Sequence, residues 1–292
     1  MGRMKLRIGA CVLSVIAMCW VAAGPGGAEG KETELSALSD SRSAGFDPWG
    51  ATHHRWPSLV DLHIGQEEHY YYWSRPNQRS LLRERTDTNP LNIWVGGDSL
   101  AGGPALGFRE LVREEGGWVY TEDVRKSTGV VSDWYFDWRK HLEEEVADGP
   151  YEVIVLSIGG NDWQGFRGGP TEKGSAEWAE KYLQRIQEIF QILDRPGRLL
   201  IWVGMPHFKV PFMVPLTDVV NAITREVFSN GERSVWVNAA SIVSPGGAWT
   251  KHVMRENGEL LEVRTDDGTH YQSSGARLIT DAVVAAVALK TG

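Results

Sequence analysis

Cysteine is nearly absent. The 292-residue chain has two, Cys11 and Cys19, and both fall in the N-terminal apolar run from Ile8 to Ala23. The rest of the chain has no disulfide and no thiol nucleophile, which excludes cysteine-dependent hydrolysis. Met18 precedes Cys19 where a lipid-attachment signal wants a small residue, and Cys11 comes too early in the run, so lipidation is not expected. Lysine- and arginine-rich faces are missing too. The formal charge of −8 is spread along the chain, which argues against nucleic acid as a partner. There is no P-loop, no G-x-G-x-x-G fingerprint and no internal repeat. Histidines and acids do not stand at metal-ligand spacing, apart from Asp267 and His270, and His53-His54 reads as an isolated solvated pair. No metal and no cofactor is expected.

What is present is ordinary for a globular protein, with 42% hydrophobic and 23% charged residues. Thirteen tryptophans are many; they suit a core, and exposed ones would suit stacking on sugar rings. Arg3, Lys5 and Arg7 ahead of the apolar run, with Gly26-Gly-Ala28 after it, have the form of an export signal over residues 1–28. Its removal would take away three basic residues and no acid, moving the charge from −8 to −11. A secreted, periplasmic or cell-envelope location is therefore expected, with membrane association only through an uncleaved signal segment.

Residues 29–55 lack apolar periodicity and read as a flexible tether. Residues 56–89, with Tyr70-Tyr-Tyr-Trp73 and then Arg79, Arg83 and Arg85 in a polar run read as helical, are expected to pack as an extension on a main domain over 90–292. From Leu91 strands and helices alternate, which predicts a mostly parallel sheet covered on both faces. The strands are Leu91–Val95, Trp118–Val124, Tyr151–Ser157, Arg198–Val203 and Ser234–Ala239. Helices are expected over Leu100 to Glu114, Asp133–Val146, Ser175–Leu193, Leu216–Phe228 and Ser273 to Leu289, and a hairpin about Glu256-Asn-Gly258.

Polar groups in such sheets gather beyond the carboxyl ends of the strands. Gly97-Asp-Ser-Leu100 follows the first strand, Gly160-Asn-Asp162 follows the third, and Asp267-Gly-Thr-His270 precedes the last helix. Singly each has a plain explanation. Asp98 or Ser99 can cap a helix, Asn161 and Asp162 can sit in a turn, and His270 can be a surface residue. Together they supply a nucleophile, an amide donor, an acid and a base.

In that order the three blocks resemble the SGNH (GDSL) hydrolase family over roughly residues 90–292, and Gly129 in Lys126-Ser-Thr-Gly129 matches the family's lone-glycine block. Ser132–Trp138 and Arg264–His270 look like a bacterial envelope branch of that family. The resemblance implies a flavodoxin-like α/β/α sandwich with a mostly parallel five-stranded sheet. It also implies Ser99 as nucleophile, His270 as general base and then acid, and Asp267 as the residue that orients the imidazole. The oxyanion would be met by the backbone N–H groups of Ser99 and Gly129 and by the Asn161 side chain. Asp98 would shape the turn and Asp162 would support the loop carrying Asn161. Trp163, Gln164, Met205 and His207 could line a substrate site or equally belong to the core or the solvent.

The expectation is a secreted serine esterase that removes an acyl group, with acetyl favoured, from an acylated small molecule or an envelope or extracellular carbohydrate. The alternatives are an O-acyltransferase using the same triad and a non-catalytic glycan-binding envelope protein.

Overall fold

A computed structural model of the protein describes residues 72–73, 81–229, 231–255 and 257–291. The expected export signal and nearly all of the expected tether and extension, including His53-His54, lie outside the described residues. Those described fall within one unit, Leu62–Gly292.

In chain order the elements are β1 (Tyr72–Trp73), β2 (Leu91–Gly97), α1 (Gly102–Glu114), β3 (Trp118–Val124), α2 (Trp138–His141) and β4 (Val153–Ser157). There follow α3 (Ala176–Leu193), β5 (Leu199–Val203), α4 (Val214–Ser229), β6 (Ser234–Val237), α5 (Ala239–Val243), the strands β7 (His252–Met254) and β8 (Leu260–Glu262), and α6 (Ser273–Ala288). Five parallel strands lie in the order β3-β2-β4-β5-β6, and β1 adds a two-residue antiparallel edge to β6. The order reverses between β2 and β4, which is the switch point where ligands of doubly wound sheets bind. The antiparallel pair β7–β8 forms the expected hairpin.

The central strands explain the sheet. Val153–Ser157 and Leu199–Val203 are buried at every position, so they run apolar without alternation, as strands covered on both faces must. On one face Phe108 of α1 packs against Trp118 and Tyr120 of β3, ring centroids 6.0 and 6.2 Å apart, and the Thr280 hydroxyl of α6 donates to the Pro104 carbonyl of α1 at 3.3 Å. Residue alternation sends Trp202 of β5 to the other face. There it meets Phe228 of α4 at 5.1 Å, and Phe228 meets Phe190 of α3 at 5.4 Å. Losing one of these buried rings would cost about 3–5 kcal/mol. In α3 the residues at helical spacing, Trp178, Tyr182, Ile186, Ile189, Phe190 and Leu193, are all buried, and the Ser175 hydroxyl caps the helix.

Three local expectations are corrected. The helix expected over 133–146 begins only at Trp138 and passes into a π-helical turn over Leu142–Val146. The residues before it are held in turns, because Ser132 O accepts the N–H groups of Tyr135 and Phe136 and Asp133 is pulled to Arg185 at 2.7 Å. The fifth parallel strand stops at Val237, where Asn238 caps α5. Residues 81–90 are not helical: Leu81 and Leu82 donate backbone N–H groups to Lys290 O, Thr86 and Asn89 pair across a turn, and Arg83 reaches Asn89 O, Pro90 O and Glu152, so the segment is strapped to the domain.

Candidate active site

The turn after β2 is built around two residues. Gly97 has φ +144°, and a Cβ there would fall 2.0 Å from Ser157 O, so only glycine lets β2 end against β4 in this way. Asp98 then caps a single 3-10 turn, Ser99–Ala101, with its Oδ1 accepting the Leu100 N–H at 2.8 Å. Helix α1 starts at Gly102. Ser99 is thus a part-exposed hydroxyl one turn ahead of a helix N-terminus, where negative charge is stabilised.

Asp98 does more than shape its own turn. Its Oδ2 accepts the backbone N–H groups of Gly159 and Gly160, each at 2.8 Å, and so ties the turn after β4 to the turn after β2. The carboxyl is fully buried. Burial pushes its pKa up to about 7; the N–H donors from Leu100, Gly159 and Gly160 oppose this and the charge of Asp162 reinforces it.

Asp162 repeats the device one loop further on. Its Oδ1 accepts the Val131 N–H at 2.9 Å, and its Oδ2 accepts the Val130 N–H at 3.1 Å and the Tyr182 hydroxyl at 2.9 Å. A Cβ on Gly129 would fall 2.1 Å from Asp162 Oδ1, which is why glycine stands there. Burial raises the Asp162 pKa against these donors. Its supporting role is corrected in one respect: it holds the loop after β3, which carries Gly129, as well as sitting beside Asn161. That loop also contains Ser127 at φ +64°, a left-handed conformation that costs a non-glycine residue energy.

Asn161 is aimed by one bond. Its Nδ2 donates to Thr128 O at 2.9 Å, leaving its second amide proton available beside the Gly129 peptide. Thr128 is fixed in turn, donating to Arg125 O at 2.6 Å and accepting from Trp138 Nε1 at 2.9 Å.

His270 and Asp267 form a pair on the loop that leads into α6. Asp267 Oδ2 lies 2.8 Å from His270 Nδ1, while Oδ1 accepts the Thr265 hydroxyl and the N–H groups of Thr269 and His270. What burial Asp267 has would raise its pKa, but these donors hold the carboxylate well below its usual range. A proton on Nδ1 leaves Nε2 as the basic nitrogen. The loop is anchored by Arg264, fully buried, whose guanidinium donates to the carbonyls of His207, Thr269 and His270 and to Ser244 Oγ.

Ser99 and His270 therefore head two helices, α1 and α6, that pack side by side, and the ring of Tyr271 lies over Gly103 of α1. Gly129 and Asn161 stand at the carboxyl ends of the flanking strands. Among the described residues no hydrogen bond joins Ser99 to His270; bonds of this kind often close only when substrate is bound. Of the residues weighed for a substrate site, Trp163 is exposed and Gln164 half-buried, with its Nε2 3.4 Å from Asn161 O. Met205 and His207 are buried, His207 paired with Asp218 at 3.1 Å. Arg264, Tyr182 and Thr128 are site residues that the sequence reading does not single out. Among the described residues no group of three or more His, Cys, Asp or Glu is placed to hold a metal ion.

The family described as "Protein of unknown function (DUF459)" matches residues 92–286. No curated protein matches the chain. Solved structures that resemble it include a lipase/acylhydrolase from Enterococcus faecalis (12% identity, 68% of this chain and 95% of that one, TM-score 0.47). Others are an aryl esterase from M. smegmatis (13% identity, 68% of this chain and 99% of that one, TM-score 0.47) and a carbohydrate acetylesterase family member from Sinorhizobium meliloti (13% identity, 68% of this chain and 98% of that one, TM-score 0.46).

Proposed function

We propose that this chain, which belongs to the DUF459 family of proteins of unknown function, is an exported serine esterase that removes an acyl group, acetyl by preference, from a cell-envelope or extracellular carbohydrate. The observation that carries the reading is the Asp267–His270 pair, 2.8 Å apart, on the loop heading α6 beside the helix that Ser99 heads. The export part rests on Arg3, Lys5, Arg7 and the apolar run behind them, and the carbohydrate part on tryptophans left exposed near the site, Trp134 and Trp163.

His270 Nε2 takes the Ser99 proton as Oγ attacks the ester carbonyl. The oxyanion is met by the N–H groups of Ser99 and Gly129 and by the free amide proton of Asn161, all held before the reaction begins, so no reorganisation is needed as charge develops. Asp267 keeps the imidazole in one tautomer and stabilises its cation. Collapse of the intermediate expels the sugar alkoxide, which takes the proton from His270, and leaves acetyl on Ser99. Water, deprotonated by the same histidine, attacks the acyl-enzyme; acetate leaves, and Ser99 recovers its proton.

Incubating the full chain with acetylated xylan, and measuring acetate released against acetyl moved to an added xylo-oligosaccharide, tests this. Acetate release that Ser99→Ala abolishes is the expected result. Acetyl appearing on the oligosaccharide in place of acetate would make the protein a transferase, and release that persists in Ser99→Ala would remove Ser99 from the reaction.

A further inference from the structure

Three tryptophans near the site carry a cation over the ring. The Arg167 guanidinium lies 4.6 Å from the Trp134 ring centroid, Lys173 Nζ 5.5 Å from Trp163 and Lys209 Nζ 5.0 Å from Trp249. Trp134 is 54% and Trp163 45% exposed, while Trp249 is half-buried. The three pairs are distributed over the loops that bear the candidate machinery. Trp134 follows Gly129 by five residues, Trp163 follows Asn161 by two, and the Lys209 N–H donates to Gly268 O, between Asp267 and His270, at 3.0 Å.

The three cations are exposed, and among the described residues no carboxylate lies within ion-pair distance of any of them. Asp266, the acid whose charge Lys209 feels, is itself bound to Lys251 at 2.7 Å. Several other surface cations are matched: Arg83 with Glu152, Arg85 with Glu115, Arg109 with Glu122, Arg233 with Asp194 and Arg277 with Glu114. In a chain of net charge −8, these three cations are set apart by the tryptophan ring that each one covers at this end of the sheet.

We propose that the rim formed by Trp134–Arg167, Trp163–Lys173 and Trp249–Lys209 binds an acidic polysaccharide, a chain of sugar rings bearing carboxylate or phosphate groups. Each pair offers an apolar ring to the C–H face of a sugar and, within about 5 Å, a positive charge to its acid group. A neutral glycan would need the rings alone. A bilayer would need a continuous apolar face, whereas these rings are divided among three loops. This rests on the esterase reading only for what is cleaved; binding by the rim is a separate property.

The test is retention of the full-length protein in affinity electrophoresis through gels holding polygalacturonate, its fully methyl-esterified form, or no polymer. Vesicles of phosphatidylglycerol are assayed by co-sedimentation. Retention by polygalacturonate that falls on methyl esterification and with added salt is expected. Arg167→Gln, Lys173→Gln and Lys209→Gln together should weaken it about tenfold. Arg113→Gln, an exposed cation at the far end of α1, should leave it unchanged. Equal retention by the esterified polymer, no loss in the triple variant, or preference for the vesicles would each overturn the proposal. Nitrophenyl acetate hydrolysis by wild type and Ser99→Ala, run alongside, separates the two readings. Activity lost in Ser99→Ala with no polymer retention removes the rim and keeps the esterase; retention with activity intact in Ser99→Ala does the reverse.

Discussion

Asp98 Oδ2 accepts the backbone N–H of Gly160 at 2.8 Å, so the turn that carries Ser99 grips the turn that carries Asn161. Asp162 then grips the loop that carries Gly129. Two buried carboxylates thus bolt together the three loops whose N–H groups would meet an oxyanion. Preorganised donors of this kind act without reorganisation cost, but the buried charges that hold them are expensive.

The first prediction follows from that expense. Asp98→Asn replaces one acceptor oxygen with an NH2 group that faces backbone N–H donors, and at neutral pH it should cost about 1–3 kcal/mol of stability. Because the folded-state pKa of Asp98 is raised to about 7, the wild type holds a proton there that the unfolded chain has released. Wild-type stability from this group therefore falls as pH rises from about 4 to about 7, and the variant lacks that slope. Urea titrations across this range should show the gap between the two proteins narrowing toward pH 7. A gap that widens would mean Asp98 is ionised in the fold.

Asn161→Ala removes a side-chain donor while leaving the turn backbone in place. The turnover number on nitrophenyl acetate should drop about 10²–10³-fold with little change in KM, since the amide meets charge that exists only in the transition state. A rise in KM with an unchanged turnover number would place Asn161 in ground-state binding instead.

Arg264 is fully buried and serves three carbonyls and a hydroxyl. Arg264→Met leaves those acceptors unpaired and should cost about 3–5 kcal/mol. Activity should fall further than the loss of folded protein explains, because the Asp267–His270 loop loses its anchor. Thermal unfolding together with activity per folded molecule, read from circular dichroism, checks both parts.

The Tyr271 hydroxyl is buried with no partner among the described residues. Its removal in Tyr271→Phe should leave stability unchanged or raise it, keeping the ring over Gly103. A loss above about 1 kcal/mol in denaturant titration would show that the hydroxyl is satisfied, by a bound water for instance.

Much of this site is legible in the sequence where its partners are close in the chain. Asp267 and His270 are three residues apart in one turn, and Gly97-Asp-Ser-Leu100 directly follows a strand whose apolar run is plain. The clamps are not legible. Val131 and Asp162 are 31 residues apart, and nothing local links an acid after one strand to peptide N–H groups after another. The burial of Arg264 is not legible either: the Thr269 and His270 carbonyls it serves lie in its own loop, but the His207 carbonyl and the Ser244 hydroxyl come from 57 and 20 residues away. The helix expected over 133–146 is shortened for the same reason, Asp133 being drawn to Arg185 on α3. At 81–90 the polar run reads as helix, but the N–H groups of Leu81 and Leu82 are spent on Lys290 O and those of Thr86 and Asn89 on each other's carbonyls.

The most direct test is covalent. A fluorophosphonate forms a stable adduct only with a serine whose hydroxyl is activated by an adjacent base. Treating the full-length protein with such a probe, digesting it and sequencing the modified peptide by mass spectrometry should place the adduct on Ser99, and labelling should vanish in His270→Ala. Absence of any adduct on the folded wild type, or equal labelling of Ser99 without His270, would contradict the assignment of Ser99 as a histidine-activated nucleophile.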